Sequence, residues 1–303
     1  MTPAKNPKTG KRLNPLNDYL FQKYMGEKGD EEQLISFLNA VLKRTRKEKI
    51  IELEILENKT LTADIIGDKT AVLDVLAVLQ DNTKVNIEVQ LRNVGGNMDK
   101  RSLFYWSREF VKGIESGSHY QDLPNVIVIN LLDFGFIPLD DFHTSFHLWE
   151  DTNKDYMLTP ALEIHFVDMV KFRRLADADK DIKNNSLHRW LTFFDKRTSE
   201  QAFKEVVEME TAIAKAHEKI IHVSQDQDSL RLYERREMGL MDYASGVHHA
   251  RKEGKEEGRQ GAFIEMTKNL LRANVDIKII SVSTGLDEDI IQKLQEELES
   301  VDQ

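Results

Sequence analysis

The chain has 303 residues, 40% hydrophobic and 31% charged, enough for a packed core and, at ~100–200 residues per domain, for two domains or one with an appendage. It contains no cysteine, which excludes disulfides, thiolate zinc sites and cysteine nucleophiles together. A net charge of −10 argues by itself against a polyanionic partner.

The charge is, however, segregated. Residues 1–50 hold eleven Lys or Arg against six Asp or Glu, whereas residues 276–303 hold two against eight. That distribution is compatible with a positive face on an acidic protein. No apolar run approaches a membrane span, and the opening MTPAKNPKTGKR lacks the apolar core of a signal peptide, so a cytoplasmic protein is expected.

Residues 1–16, rich in Lys, Asn and Pro, read as a basic disordered arm. Asn17 and Asp18 stand where a helix cap belongs, ahead of Tyr19, Leu20, Phe21 and Tyr24. A second helix is expected after Gly29, with Asp30 and Gln33 at capping-box spacing and Leu34, Ile35, Leu38, Val41 and Leu42 on one side. The basic segment Lys43–Lys49 closes this helical layer.

From Ile50 the pattern turns to β-type, with strands expected at Ile51–Leu56, Leu61–Ile66, Ala71–Gln80 and Val85–Leu91. In the third run Leu73, Val75, Ala77 and Leu79 share one face, and Asp74, Leu76 and Val78 the other. Asp74 therefore sits among apolar neighbours, where a lone carboxylate is costly unless paired or bound to a cation. After the loop Asn93–Asn97 comes a helix from about Met98 to Ile114, whose core side is expected from Leu103, Phe110, Val111 and Ile114. Its residues Arg101, Tyr105, Arg108 and Lys112, spaced +4, +3, +4, form another stripe. Val126–Leu132 reads as a buried strand or, alternatively, a short buried helix.

Phe142–Glu150 and Leu162–Val170 read as a further β pair. Long charged helices are expected from Leu187 to about Leu271, with Gly254 and Gly258 marking a solvated helix or linker. Asp276–Leu298 has helix–turn–helix spacing around Gly285, but its second helix opens with Asp287, Glu288 and Asp289. That favours a packing or interaction element over a DNA-reading one.

The chemistry concentrates in Val72–Leu91. Residues two apart on a strand face the same way, so Glu88 and Gln90 point together. With a turn at Asp81-Asn82-Thr83, Gln80 opposes Lys84 and the ladder brings Asp74 opposite Gln90, with Glu88 diagonal at roughly 7–8 Å. Two carboxylates on one pleated face can share a hard cation such as Mg²⁺. Such a site suits phosphodiester hydrolysis, with Gln90 orienting a water and Arg101, Tyr105, Arg108 and Lys112 meeting nucleic-acid phosphates. The structural alternative is a salt bridge or solvent-facing strand edge for the acids and a solvated helix face for the stripe.

His143 and His147 have metal-ligand spacing for a helix, but on a strand they stand ~13 Å apart and cannot share one ion. His248 and His249 read as an exposed pair. No Walker A loop, GxGxxG, HExxH or GxSxG is present, so nucleotide cofactors, zinc proteolysis and the common serine-hydrolase pattern have no support.

The succession LDVLAVL, a short turn, NIEVQ, then RSLFYWSREFVKGIESGSHYQDLPNVIVINLL resembles the PD-(D/E)XK nuclease superfamily. It is most similar to the Rpn family of recombination-promoting, transposase-like nucleases, in which the second acid is followed by x-Gln rather than x-Lys. NDYLFQKYMG and LISFLNAVL match that family's first two helices.

The resemblance implies an α/β, restriction-endonuclease-like core, a mixed β-sheet flanked by helices, over residues 17–185. An all-α C-terminal region would follow as a charged helical part (186–260) and a small helical element (261–303). It further implies a Mg²⁺ requirement, with Mn²⁺ as a substitute, and DNA as substrate. Asp74 and Glu88 take the metal-ligand positions, Gln90 that of the usual lysine, and Asp18 that of an accessory acid. Leu73 stands where the superfamily has its proline. A homodimer is compatible with this pattern. Two functions are expected: a Mg²⁺-dependent DNA endonuclease acting in recombination or on mobile-element DNA, or an inactive nuclease-fold scaffold acting through its helical tail.

Overall fold

The computed structural model describes residues 2–56, 75–93, 95–112 and 119–301, with side chains to residue 298. Asp74 and the strand expected at Leu61–Ile66 lie outside these residues. The chain forms two compact units, Met1–Glu237 and Met238–Gln303.

The first unit opens with two helices, α1 (Asp18–Met25) and α2 (Glu31–Val41). Asn17 caps α1 as expected, its side chain accepting from the Leu20 amide at 3.2 Å. At α2 the expected capping box is replaced by a side-chain pair, Gln33 Nε2 donating to Asp30 Oδ1 at 3.0 Å. Lys219 also reaches Asp30 at 2.5 Å.

The sheet contains β1 (Leu53–Leu56), β2 (Val75–Leu79), β3 (Lys84–Gln90), β4 (Val126–Leu132), β5 (His143–Trp149) and β6 (Met157–Asp168), ordered β1-β2-β3-β4-β6-β5. β1, β2 and β3 are antiparallel, β3, β4 and β6 run parallel, and β5 returns antiparallel to β6. The parallel step from β3 to β4 needs a crossover, which includes α3 (Met98–Val111). Every residue of β4 is buried, the signature of a parallel strand covered on both faces.

On one face Val75, Ala77, Val85, Ile87 and Ile129 join the main core. Against them pack α1, α2 and the helices α5 (Ser186–Phe194), α6 (Glu200–Met209) and α7 (Thr211–Gln225), which follow the short α4 (Met169–Arg174). Edge-to-face contacts of Phe37 with Trp190 (5.9 Å) and Phe194 (5.4 Å) centre this layer. Burying such side chains contributes roughly 1.5–3 kcal/mol each. On the other face Val126, Val128 and Ile164 pack with Met98 of α3.

Two expectations are corrected here. Residues 1–16 are not a free arm. Leu13 and Leu16 are 2% exposed, Lys5 and Arg12 form a bridge, and the Asn14 amide donates to Tyr233 Oη at 2.9 Å. Burial of the two leucines outweighs the polar composition that suggested disorder. The boundary expected near residue 185 also falls inside a compact unit, because α5–α7 share one core with the sheet.

α8 (Gln227–Arg272) begins in the first unit, where Leu230 and Tyr233 are buried. In the second unit its end packs with α9 (Ile277–Thr284) and α10 (Glu288–Val301) through Thr267, Ile280, Ile291 and Leu294. Gly285, at φ 72°, ends α9 as the turn signal required. Residues 245–262 of α8 are exposed throughout.

Candidate functional site

The hairpin of β2 and β3 has a three-residue loop, but one residue earlier than expected. The Leu79 amide donates to the Thr83 carbonyl at 2.9 Å, and the register is Val78↔Lys84, Leu76↔Asn86, Val75↔Ile87. Asn82 takes the left-handed position, φ 64°, which a β-branched Thr83 resists and an asparagine tolerates. Sliding the loop by one residue moves each cross-strand partner by two. The faces of the described residues are therefore as expected, and Lys84 stands opposite Val78 rather than Gln80.

Lys84, Asn86, Glu88 and Gln90 all point away from the main core, toward α3. Glu88 is fully buried (0% exposed). Its Oε2 lies 3.4 Å from Arg101 Nη2, while its Oε1 has no hydrogen-bond partner among the described residues. Burial pushes its carboxyl up to about 7, and the Arg101 charge pulls it back part of the way. The Asn86 amide beside it is also buried, and its contact with the carboxylate lowers that pKa as well. Gln90 Oε1 accepts from Arg101 Nη1 at 3.4 Å.

α3 covers this face. Arg101 Nε donates to Tyr105 Oη at 3.0 Å, and the guanidinium groups of Arg101 and Arg108 lie 5.3 and 5.6 Å from the Tyr105 ring. Ser102 Oγ donates to Asn130 Oδ1 at 3.1 Å, and Asn130 stands next to Glu88 in the parallel register. The structure thus brings together Glu88, Gln90, Arg101, Tyr105 and Arg108. Tyr105 is buried, whereas the Lys112 side chain is 51% exposed.

The core side expected for α3 is corrected. Leu103 and Val111 are exposed, Phe110 is partly buried, and Ile114 lies outside the described residues. The buried stripe is Met98, Ser102, Tyr105 and Glu109. A polar stripe is buried because it faces the polar residues of β3. Glu109, which sequence reasoning missed, is 1% exposed, with neither carboxylate oxygen hydrogen-bonded among the described residues; Arg108 and Lys112 lie 3.5 and 3.7 Å away. Its +4 spacing from Tyr105 was the available signal.

Asp18 is placed elsewhere in bonding terms. It opens α1, accepts from the Tyr19 amide and pairs with Arg236 at 3.7 Å. Glu88 and Gln90 make no ion pair or hydrogen bond with it.

A second titratable cluster lies on β5 and β6. His143 Nε2 is 2.9 Å from His165 Nδ1, and His165 Nε2 is 2.7 Å from Glu163 Oε1. His147 Nε2 is 3.7 Å from Glu163 Oε2. His143 and His147 are therefore linked through the neighbouring strand rather than to each other. Among the described residues no group of three or more His, Asp or Glu is arranged to hold a metal ion, and His249 pairs with Glu253 at 3.2 Å on the exposed part of α8.

The mixed six-stranded sheet, its flanking helices and the long C-terminal helix define an α/β protein of the PD-(D/E)XK nuclease-like class. The chain belongs to the PD-(D/E)XK nuclease family transposases, whose sequence profile matches residues 15–250. No curated protein and no solved structure matches it. Among the described residues no helix is long and apolar enough to cross a membrane.

Proposed function

We propose that the protein is a divalent-metal-dependent DNA endonuclease, in which Asp74 and Glu88 hold Mg²⁺ or Mn²⁺. The observation that carries this reading is the fully buried Oε1 of Glu88, which has no hydrogen-bond partner among the described residues. A buried carboxylate oxygen with no donor is costly by itself, and a hard cation is the partner that suits it. The described ladder ends at Val75↔Ile87, and Asp74 directly precedes Val75 in sequence while Glu88 directly follows Ile87.

A bound divalent cation supplies a water of lowered pKa and neutralises charge on the scissile phosphate. The chain's own residues supply the rest. Gln90 orients the attacking water through its side-chain amide. Arg101 takes the electrostatic role that a lysine at Gln90 would have had, meeting a non-bridging oxygen with its guanidinium. Tyr105 fixes that guanidinium through the 3.0 Å bond to Nε, and the Arg108 guanidinium lies 5.6 Å from the same ring. Lys112 contacts the DNA backbone beyond. The setting is recombination or mobile-element DNA, and the compartment is the cytoplasm.

Purified protein with Mg²⁺ or Mn²⁺ is expected to nick or linearise supercoiled plasmid, and Asp74→Ala and Glu88→Ala are expected to abolish this. Equal activity in the wild type and both variants would overturn the reading. One observation favours a second reading, an inactive scaffold: Arg101 already gives Glu88 a cationic neighbour. Calorimetry showing no Mg²⁺ or Mn²⁺ binding that depends on Asp74 would select it.

A further inference from the structure

The basic segment that closes the first helical layer has no part in the site above. Between Lys43 and Lys49 stand five Lys or Arg and one acid, Glu48, on a chain whose net charge is −10. These residues line a groove of about 760 Å³ together with the end of α2 and the start of α5, where Asn184, Asn185 and Arg189 form the other wall.

The cations divide by what holds them. Arg46 is anchored by Asp81, and Arg189 by Glu210 at 2.6 Å. Arg44 Nη1 donates to the His143 carbonyl at 2.8 Å. These three contacts fasten the groove to the β2–β3 turn, to the head of α7 and to β5. By contrast Lys43, Lys47 and Lys49 are exposed and, among the described residues, make no ion pair. Three exposed ammonium groups on one groove repel one another, and a bound polyanion would relieve that repulsion. Among the described residues Glu48 is the one carboxylate in the lining. Nor does the groove belong to the Glu88 centre: α2 and α5 pack on the sheet face of Val75, Val85 and Ile87, whereas Glu88 points to the α3 face.

We infer that this groove is a second nucleic-acid-binding surface, which takes the phosphodiester backbone of DNA through Lys43, Lys47 and Lys49 and tethers the polymer independently of cleavage. The inference deepens the nuclease reading, because it rests on DNA as substrate. A backbone is favoured over a single anion because the three lysines are spread along seven residues with no buried donor converging on one point. A repeated charge matches that spread.

The test uses the full chain carrying Glu88→Gln in EDTA, so that no cutting intervenes, and a fluorescein-labelled DNA duplex read by anisotropy from 50 to 200 mM salt. Lys43→Ala/Lys47→Ala/Lys49→Ala is expected to weaken binding by about tenfold or more and to flatten the salt dependence by about one unit of slope per lysine. Lys154→Ala/Lys196→Ala/Lys204→Ala removes the same charge from exposed positions elsewhere and is expected to change far less. Equal losses in both triple variants, or none in the first, would overturn the inference. So would inorganic phosphate that displaces the duplex and shifts the amide resonances of residues 43–49 at the affinity of the duplex, since the groove would then be a site for isolated anions. Circular-dichroism melts confirm that each variant is folded. Failure of the nuclease reading is seen separately, as wild-type protein that binds DNA and never cuts it.

Discussion

Arg101 touches both candidate side chains of β3 at the same distance, its Nη2 3.4 Å from Glu88 Oε2 and its Nη1 3.4 Å from Gln90 Oε1. One guanidinium thus bridges an acid and an amide two residues apart on β3. Arg101→Ala is expected to lower plasmid cleavage by roughly a hundredfold, the usual scale for removing one preorganised transition-state donor. Arg101→Lys should restore only part of the rate, because the fork that reaches both groups is lost. Single-turnover cleavage at saturating metal reads the effect.

Glu88 is a liability to the metal-free fold. Its buried Oε1 lacks a donor, and an unsatisfied buried acceptor costs on the order of 1–3 kcal/mol. In EDTA, Glu88→Gln is therefore expected to melt at or above the wild-type temperature. Added Mg²⁺ or Mn²⁺ should raise the melting temperature of the wild type and leave the variant unmoved. Differential scanning calorimetry of the two proteins, with and without cation, checks both halves.

His143 carries a pH prediction. Burial, then the neighbouring His165 charge, lowers its pKa to about 3 from the ordinary 6.5. A depressed histidine remains neutral in the fold while the unfolded chain takes up a proton. The stability it allows is whole above pH 6.5 and is lost as pH falls from there toward 3, by an amount on the order of 5 kcal/mol at full extent. His143→Phe is expected to flatten the acid limb of stability over that window, as read by urea unfolding at stepped pH. An unchanged slope would remove His143 from the account.

The hairpin register is held by Asn82 in its left-handed conformation. Asn82→Val forces a β-branched residue to positive φ and is expected to destabilise by about 1–3 kcal/mol, whereas Asn82→Gly should be neutral or mildly stabilising. Thermal melts give the sign. If the valine variant also loses cleavage out of proportion to its stability, the turn positions the site.

Much of the architecture is legible in residue pattern. β4 announces itself through an unbroken apolar run, and the hairpin faces follow from a period of two that an error of one residue in loop position cannot disturb. Burial of long-range partners is less legible. Leu13 and Leu16 sit in a polar stretch, and only the core they complete shows that they are ordered. The α3 face inverts a simple apolar rule, since Leu103 and Val111 are exposed while Ser102 and Glu109 are covered. That covering depends on the polar row of β3 opposite, which no local window contains. The same holds for His143, His165 and Glu163, whose chain of contacts crosses between strands twenty-odd residues apart in sequence.

The long exposed reach of α8 has a consequence for local dynamics. Over residues 245–262 no side chain is buried, and Gly246, Gly254, Gly258 and Gly261 each cost about 1 kcal/mol against alanine in a helix. Backbone hydrogen bonds and exposed side-chain pairs such as His249–Glu253 and Arg259–Glu256 hold this reach without burial, so its amides should exchange with deuterium orders of magnitude faster than those near Tyr233 or Thr267, where the same helix is anchored by burial. A helix continuous in geometry is thus three segments in opening free energy, and its middle third is where a protease would first enter.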